Sequence, residues 1–224
     1  VITRPHPLEW SVEQLQAACG EAKALGRRSP VHAHSAESAK QAALAGCSSI
    51  EHGAYVDDEA FSVMEARGTY YDPNIGLVLQ NYLQNKPAFY GAGNYTDEGF
   101  AFMEKGVTIV LETFKKALRH KKLKIIYGTD ATAGANGRNY EEFIVRVRDG
   151  GQAPMDAIVG ATSLAAESLG LEGRIGSIAP GLEADIIATD GDPLKDITAV
   201  RHVVFVMKGG QVFKNVSPAR TATH

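Results

Sequence analysis

The sequence predicts an α/β protein built on a parallel sheet of the β/α-barrel type, followed by a small all-β tail. Short apolar runs at Val31-His32-Ala33-His34, Ile50-Glu51-His52-Gly53 and Ile125-Ile126-Tyr127-Gly128-Thr129-Asp130 each end in histidine or carboxylate. Helical patterns lie between these runs, and strand–helix alternation implies a parallel sheet. Reactive side chains delivered at the C-terminal ends of several strands point to the mouth of a barrel.

Taken in order, the elements justify that class. Pro5 and Pro7 break any regular structure before residue 10. Ser11 and Gln14 form a capping box, Val12, Leu15, Ala18, Ala22 and Leu25 keep helical spacing, and Gly26 stops the helix. Val31–His34 is the first strand. Ser35 caps an alanine-rich helix over 36–45, and Gly46 ends it. A second strand covers 48–52. A helix runs from about Asp57 to Arg67, with acidic residues at its positive end and Gly68 after it.

A third strand over 69–73 is closed by Pro73. The stretch 74–97 reads as a long polar excursion, and loops of that length are often functional. A helix over about 97–118 leads to a fourth strand at 123–127. Its lysine-rich end (Lys115, Lys116, Arg119, Lys121, Lys122, Lys124) reads as a solvated helix terminus. Residues 131–139, rich in Gly and Ala, suit a loop that approaches a ligand. Helices follow at 140–147 and 154–169. The tail changes character: turns at 176–181, strands at 184–188 and 203–207, and a hairpin at Lys208-Gly209-Gly210-Gln211 leading into Val212-Phe213. Two units are expected, 1–175 and 176–224.

Composition narrows the function. At 44% hydrophobic and 22% charged, the 224 residues can fill a sizeable core, and a net charge of −3 gives no reason to expect nucleic acid or a membrane surface as partner. No apolar run reaches the length of about 18 residues that a membrane span needs. No signal peptide is visible, but the chain starts at Val1, so its compartment is not legible. Cys19 and Cys47 are too few for a disulfide framework and are expected as small buried apolar residues.

The candidate site follows from strand geometry. Residues i and i+2 share a face, so His32 and His34 point the same way. A further histidine, His52, and an aspartate, Asp130, at other strand ends make a donor set suited to zinc or a similar divalent ion, with the aspartate as general base. Glu51 alternates away from His52 and is expected as a structural partner. Asp72 and Asn74 suit strand-end capping or the lining of the site equally. Glu37 suits a helix N-terminus. His6, His120, His202 and His224 are expected at the surface, and Tyr90 and Tyr95 are weaker candidates for substrate contact.

The run VHAHSAESAKQAALAGCSSIEHG, the strand IIYGTDA and the tail GSIAPGLEADIIATDGDPL with VVFVMKGGQVF together resemble the metal-dependent amidohydrolase superfamily. They look most like its imidazolonepropionase-like or Xaa-Pro dipeptidase-like branch, from about Trp10 to Lys214. The resemblance implies the second half of a (β/α)8 barrel, strands five to eight, joined to the C-terminal piece of a β-sandwich. It implies hydrolysis of an amide or peptide C–N bond in a dipeptide or N-acyl amino acid. By position, His52 matches the ligand on the barrel's sixth strand and Asp130 the aspartate on its eighth. Relatives place the fifth-strand ligand about twenty residues before the sixth-strand histidine, which selects His32. His34 then falls where peptidase-like members contact substrate.

The first-strand His-x-His pair and the fourth-strand lysine of that family have no counterpart here. The expectation is therefore a piece of a longer enzyme, or a chain whose open sheet edges associate with another copy or with the missing half. The alternatives are a catalytically inactive association module, or a deaminase- or lyase-type relative. Glu37 stands five residues after His32, which is not the spacing of a deaminase's proton-shuttling glutamate.

Overall fold

The computed structural model describes residues 10–216. The segment around Pro5 and Pro7, and His6 and His224, lie outside the described residues.

Four strands form a parallel sheet in the order β1 (Pro30–Ser35), β2 (Ser49–Tyr55), β3 (Tyr70–Asp72) and β4 (Lys124–Ile125). The register places Val31 beside Ile50, Ile50 beside Tyr71, and Tyr71 beside Ile125. This apolar row faces the helices. The opposite face carries a polar row, His32 beside Glu51 beside Asp72.

The helices form where their caps predict. Helix α1 (Val12–Ala24) begins on the Ser11–Gln14 capping box. In α2 (Ala36–Leu44) the Ser35 side chain accepts from Ser38 N, and Ala39, Ala42 and Ala43 are fully buried, so the helix lies close on the sheet. Asp57 caps α3 (Asp58–Arg67), and Gly68 ends it at φ 68°. The long α6 (Asp97–Ala117) buries Phe100, Met103, Val110 and Phe114, each such side chain contributing about 1.5–3 kcal/mol by leaving water.

Several expectations are corrected. The excursion after Asn74 is largely helical: α4 (Leu77–Gln84) buries Leu77, Val78, Leu79 and Tyr82, and a short α5 (Lys86–Phe89) follows. Cys19 and Cys47 are buried but not free, for they form a disulfide that joins α1 to the turn after α2. Their Cα atoms stand 5.0 Å apart, a proximity that only the packing of α1 on α2 creates. His120 is not a free surface residue: its ring bridges Glu65 (3.3 Å) and Asp58 (3.1 Å) and packs on Phe61. The expected helix 154–169 is two, α8 (Pro154–Ala161) and α9 (Ser163–Leu169), broken where Thr162 leaves helical geometry, after α7 (Tyr140–Arg148).

A second, antiparallel sheet contains β5 (Ile186–Thr189), β6 (Val203–Lys208) and β7 (Gln211–Asn215), with Gly209 and Gly210 turning the hairpin at positive φ. A short 3-10 turn, Ile197–Arg201, fastens this sheet to α7. Arg148 reaches Asp196 (3.2 Å), and the Arg201 guanidinium lies over Tyr140. Among the described residues no helix is long and apolar enough to cross a membrane.

Candidate active site

Three histidines gather at the C-terminal end of the parallel sheet. The His32 and His34 ring centroids lie 4.6 Å apart, as two residues on one face of β1 should. Strict alternation would turn His52 to the helix side, away from them. Instead β2 carries one extra residue between the pairs Ala33–His52 and Ser35–Tyr55. His52 (φ 70°) and Gly53 (φ 55°) take left-handed conformations there. The His52 ring thereby comes to 4.5 Å from His32 and 5.3 Å from His34. Glu51 is a structural partner, as expected: it accepts from the Ser49 hydroxyl and hydrogen-bonds Asp72. It does so, however, on the same face as His32.

Among the described residues, three other than glycine have positive φ: His52, Asn74 (φ 44°) and Asp130 (φ 44°). All three line one pocket, together with His34. Each such residue costs on the order of 1–3 kcal/mol and persists only where its surroundings hold it. The braces are visible. The Tyr71 hydroxyl donates to the His52 and Gly53 carbonyls (both 3.3 Å), and Thr113 Oγ1 donates to the Ala54 carbonyl (2.8 Å). A Cβ at Gly53 would stand 2.6 Å from the Tyr71 ring, so the turn also needs a glycine.

The opposite pocket wall is apolar. Val78, Leu79 and Tyr82 come from α4, and Met103 and Val110 from α6. Burial pushes the His52 imidazole down to about 4; His32 beside it adds to the effect, while Asp130 and a hydrogen bond with Asn74 oppose it. His52 is therefore neutral near pH 7, with a lone pair free for a cation. Asp72 is pushed up to about 7, first by burial and then by Glu51, against the pull of Arg146.

Of the residues expected from sequence, His34, His52 and Asp130 meet in the pocket. His32 touches both other histidines from an exposed position on the sheet face. Asn74 belongs to the pocket, where it hydrogen-bonds His52 and Asp72. Tyr90 is exposed and bonded to Asp97, while Tyr95 packs behind Tyr82. Glu37 pairs with Gln41 and Lys40 on the outer side of α2.

Sequence reasoning missed the support beneath the site. Glu142, fully buried on α7, accepts from the backbone N–H groups of Ile75 (2.7 Å), Gly76 (2.8 Å) and Leu77 (3.0 Å), the start of α4. Arg146, one turn on and also fully buried, holds Glu142 (3.2 Å), the Ile126 carbonyl (2.7 Å) and Asp72 (3.5 Å), stacked between Tyr127 and Phe114. The strand ends crowd here: a Cβ at Gly128 would collide with the Asp72 carboxylate. A Glu–Arg pair at i,i+4 reads as a solvated helix face, and only the glycine at 76, where Val145 and Glu142 approach within 3.0 Å of an added Cβ, hinted at close packing.

Three imidazoles and a carboxylate at this proximity suit a divalent ion by donor chemistry. Among the described residues, no group of three or more His, Cys, Asp or Glu side chains is already arranged to hold one.

The profile described as Amidohydrolase family matches residues 1–213. Ochratoxinase from Aspergillus niger is 30% identical over 214 residues, covering 94% of this chain and 43% of the ochratoxinase, so the chain spans less than half the length of that relative. The crystal structure of a Xaa-Pro dipeptidase with methionine bound in its active site superposes with a TM-score of 0.80 at 35% identity, over 92% of this chain and 49% of that one. A prolidase complexed with N-methylphosphonate-L-proline gives 0.83 at 25%, over 95% and 51%. The crystal structure of A. niger ochratoxinase gives 0.79 at 29%, over 95% and 47%.

Proposed function

The chain belongs to the amidohydrolase family, and from that premise we propose that it forms the active-site half of a hydrolase that cleaves amide or peptide C–N bonds. The four βα units are read as strands five to eight of a (β/α)8 barrel. The observation that carries the function is the convergence of His34, His52 and Asp130, on strained backbone, in one pocket with an apolar wall.

Members of the family generally use divalent metals. We assign His32, His52 and Asp130 as the residues that would hold one here, zinc or a similar ion. When bound, such an ion supplies Lewis acidity, acidifying water and polarising the substrate carbonyl. Asp130 accepts the proton of the attacking water at its carboxylate and returns it to the leaving amine. His34, which lines the pocket beside His52, orients the substrate. The wall of Val78, Leu79, Tyr82, Met103 and Val110 receives an apolar group next to the scissile bond and excludes water. The Xaa-Pro dipeptidase and the prolidase to which the chain is similar support this substrate class, a dipeptide or an N-acyl amino acid with an apolar side chain. The edges β1 and β4 would pair with the preceding half of the barrel or with another copy.

The test is elemental analysis of the purified protein after dialysis against metal-free buffer, followed by assay on a panel of Xaa-Pro dipeptides and N-acyl amino acids. Bound metal that is lost in His52→Ala, with turnover confined to substrates carrying apolar groups, supports the reading. Protein expressed from its complete reading frame that takes up no metal and cleaves none of the panel sinks it.

A further inference from the structure

The segment that carries Asp130 has no regular structure between β4 and α7, yet it is held in place. Asn81, fully buried on α4, donates from Nδ2 to Thr132 Oγ1 (3.2 Å) and to the Ala133 carbonyl (2.9 Å). Its Oδ1 accepts from Asn85 Nδ2 (3.0 Å) and lies 3.5 Å from Arg138. Arg138 also reaches Gln84 at 2.7 Å, again on α4. At the base of the loop, Asn139 donates to Thr129 Oγ1 (2.8 Å).

The loop is thus tied to α4 by a side chain that no water reaches. Helix α4 is the same helix that presents Val78, Leu79 and Tyr82 to the pocket, and its first turn is gripped by Glu142. A buried amide satisfied from two elements fixes their relative position far better than an exposed one, because each lost bond leaves a desolvated group. Aspartate tolerates the left-handed backbone of Asp130 (φ 44°) better than most residues but still at a cost, and such a hold sustains it.

We propose that Asn81 is a positioning residue that couples the apolar wall of the pocket to the placement of the Asp130 carboxylate. Substrate seated on α4 is thereby seated against the helix that aims the base. The proposal rests on the reading of Asp130 as base, and the test separates the two.

The experiment compares Asn81→Ala, the isosteric Asn81→Asp and Thr132→Val with wild type, each made in the protein expressed from its complete reading frame, loaded with zinc, and assayed on the best-cleaved substrate of the panel. Asn81→Asp keeps the acceptor and loses both donated bonds. It lowers kcat about ten- to a hundredfold with KM changed by less than about threefold, the signature of lost alignment rather than lost binding. Thr132→Val, which keeps the shape and folds even where Asn81→Ala does not, lowers kcat in the same sense by a smaller factor. Amide hydrogen exchange at residues 130–134 speeds up in the Asn81 variants while that of β1 and β2 is unchanged. Wild-type kcat in Asn81→Asp, or a raised KM at unchanged kcat, overturns the proposal. If Asp130→Asn keeps full turnover, the assignment of the base falls and the proposal falls with it. If Asp130→Asn is inactive and Asn81→Asp keeps its kcat, the proposal alone falls.

Discussion

The histidine pocket and the Arg146–Glu142 cluster are neighbours at the same end of one sheet, joined through Asn74 and Asp72, and they are built in opposite ways. In the pocket, backbone conformations are strained, Asp130 is exposed, and His52 is kept neutral by burial. In the cluster, two fully buried ions are satisfied by three backbone N–H groups, a carbonyl, a second carboxylate and two aromatic faces. The difference teaches how this fold divides its labour. The pocket side chains sit on strained backbone, so their geometry has to be enforced from outside. The cluster does that enforcing, by fixing the ends of β3 and β4 and the start of α4.

Changes on either side of this division should have different signatures. The largest effect expected is on turnover: Asp130→Asn lowers kcat by about a thousandfold or more, with unfolding free energy changed by less than about 0.5 kcal/mol. Asparagine accepts left-handed backbone as readily as aspartate, and position 130 is exposed. Steady-state kinetics beside urea denaturation check this, and full turnover in the variant would remove Asp130 as base.

Arg146→Met should act in the opposite sense, costing about 3–5 kcal/mol of stability, because it strands Glu142 and Asp72 as buried carboxylates without a cation. A urea midpoint close to wild type would mean that the cluster is not what holds the pocket.

A third region, remote from both, sharpens the contrast. Replacing Cys19 and Cys47 together by alanine opens a link across a sequence separation of 28 residues. It should cost about 3–4 kcal/mol of stability through the unfolded chain, with the kcat of the folded protein unchanged. A large fall in kcat would show that the link also shapes the site.

The smallest effects are on pH dependence, in metal-free protein. His52 has a folded-state value of about 4, below its ordinary 6.5, so the stability it supports is present above pH 6.5 and lost as pH falls toward 4. Asp72 has a folded-state value of about 7, above its ordinary 3.8, so its contribution is present below about pH 4 and lost as pH rises through 7. His52→Asn should flatten the acid-side loss, and Asp72→Asn should remove the loss toward neutral pH. Thermal unfolding across pH 4–8 reads both, and parallel profiles for the two variants would refute the opposed assignments.

Much of the fold was legible because it depends on short-range chemistry. The Ser11–Gln14 box, the Ser35 cap, Gly68 and the Gly209-Gly210 hairpin act within a few residues of themselves, and each appears where the pattern placed it. His34, His52 and Asp130 were legible as candidates because strand ends collect such residues, and they meet in one pocket. Less legible was α4, whose Leu77-Val78-Leu79 and Tyr82 were obscured by the polar residues around them.

The sequence by itself determined the order of strands and helices, the residues able to carry the chemistry, and the period-two alternation that separates Glu51 from His52. Only the tertiary structure decided that an extra residue in β2 turns His52 toward His32 and His34, against that alternation. It also decided that Cys19 meets Cys47, and that Arg146 and Glu142 lie beneath the pocket rather than in water. The physical reason is common to all three. Each depends on groups brought together across long separations by packing, and a local pattern records what a residue can do, not which distant partner satisfies it.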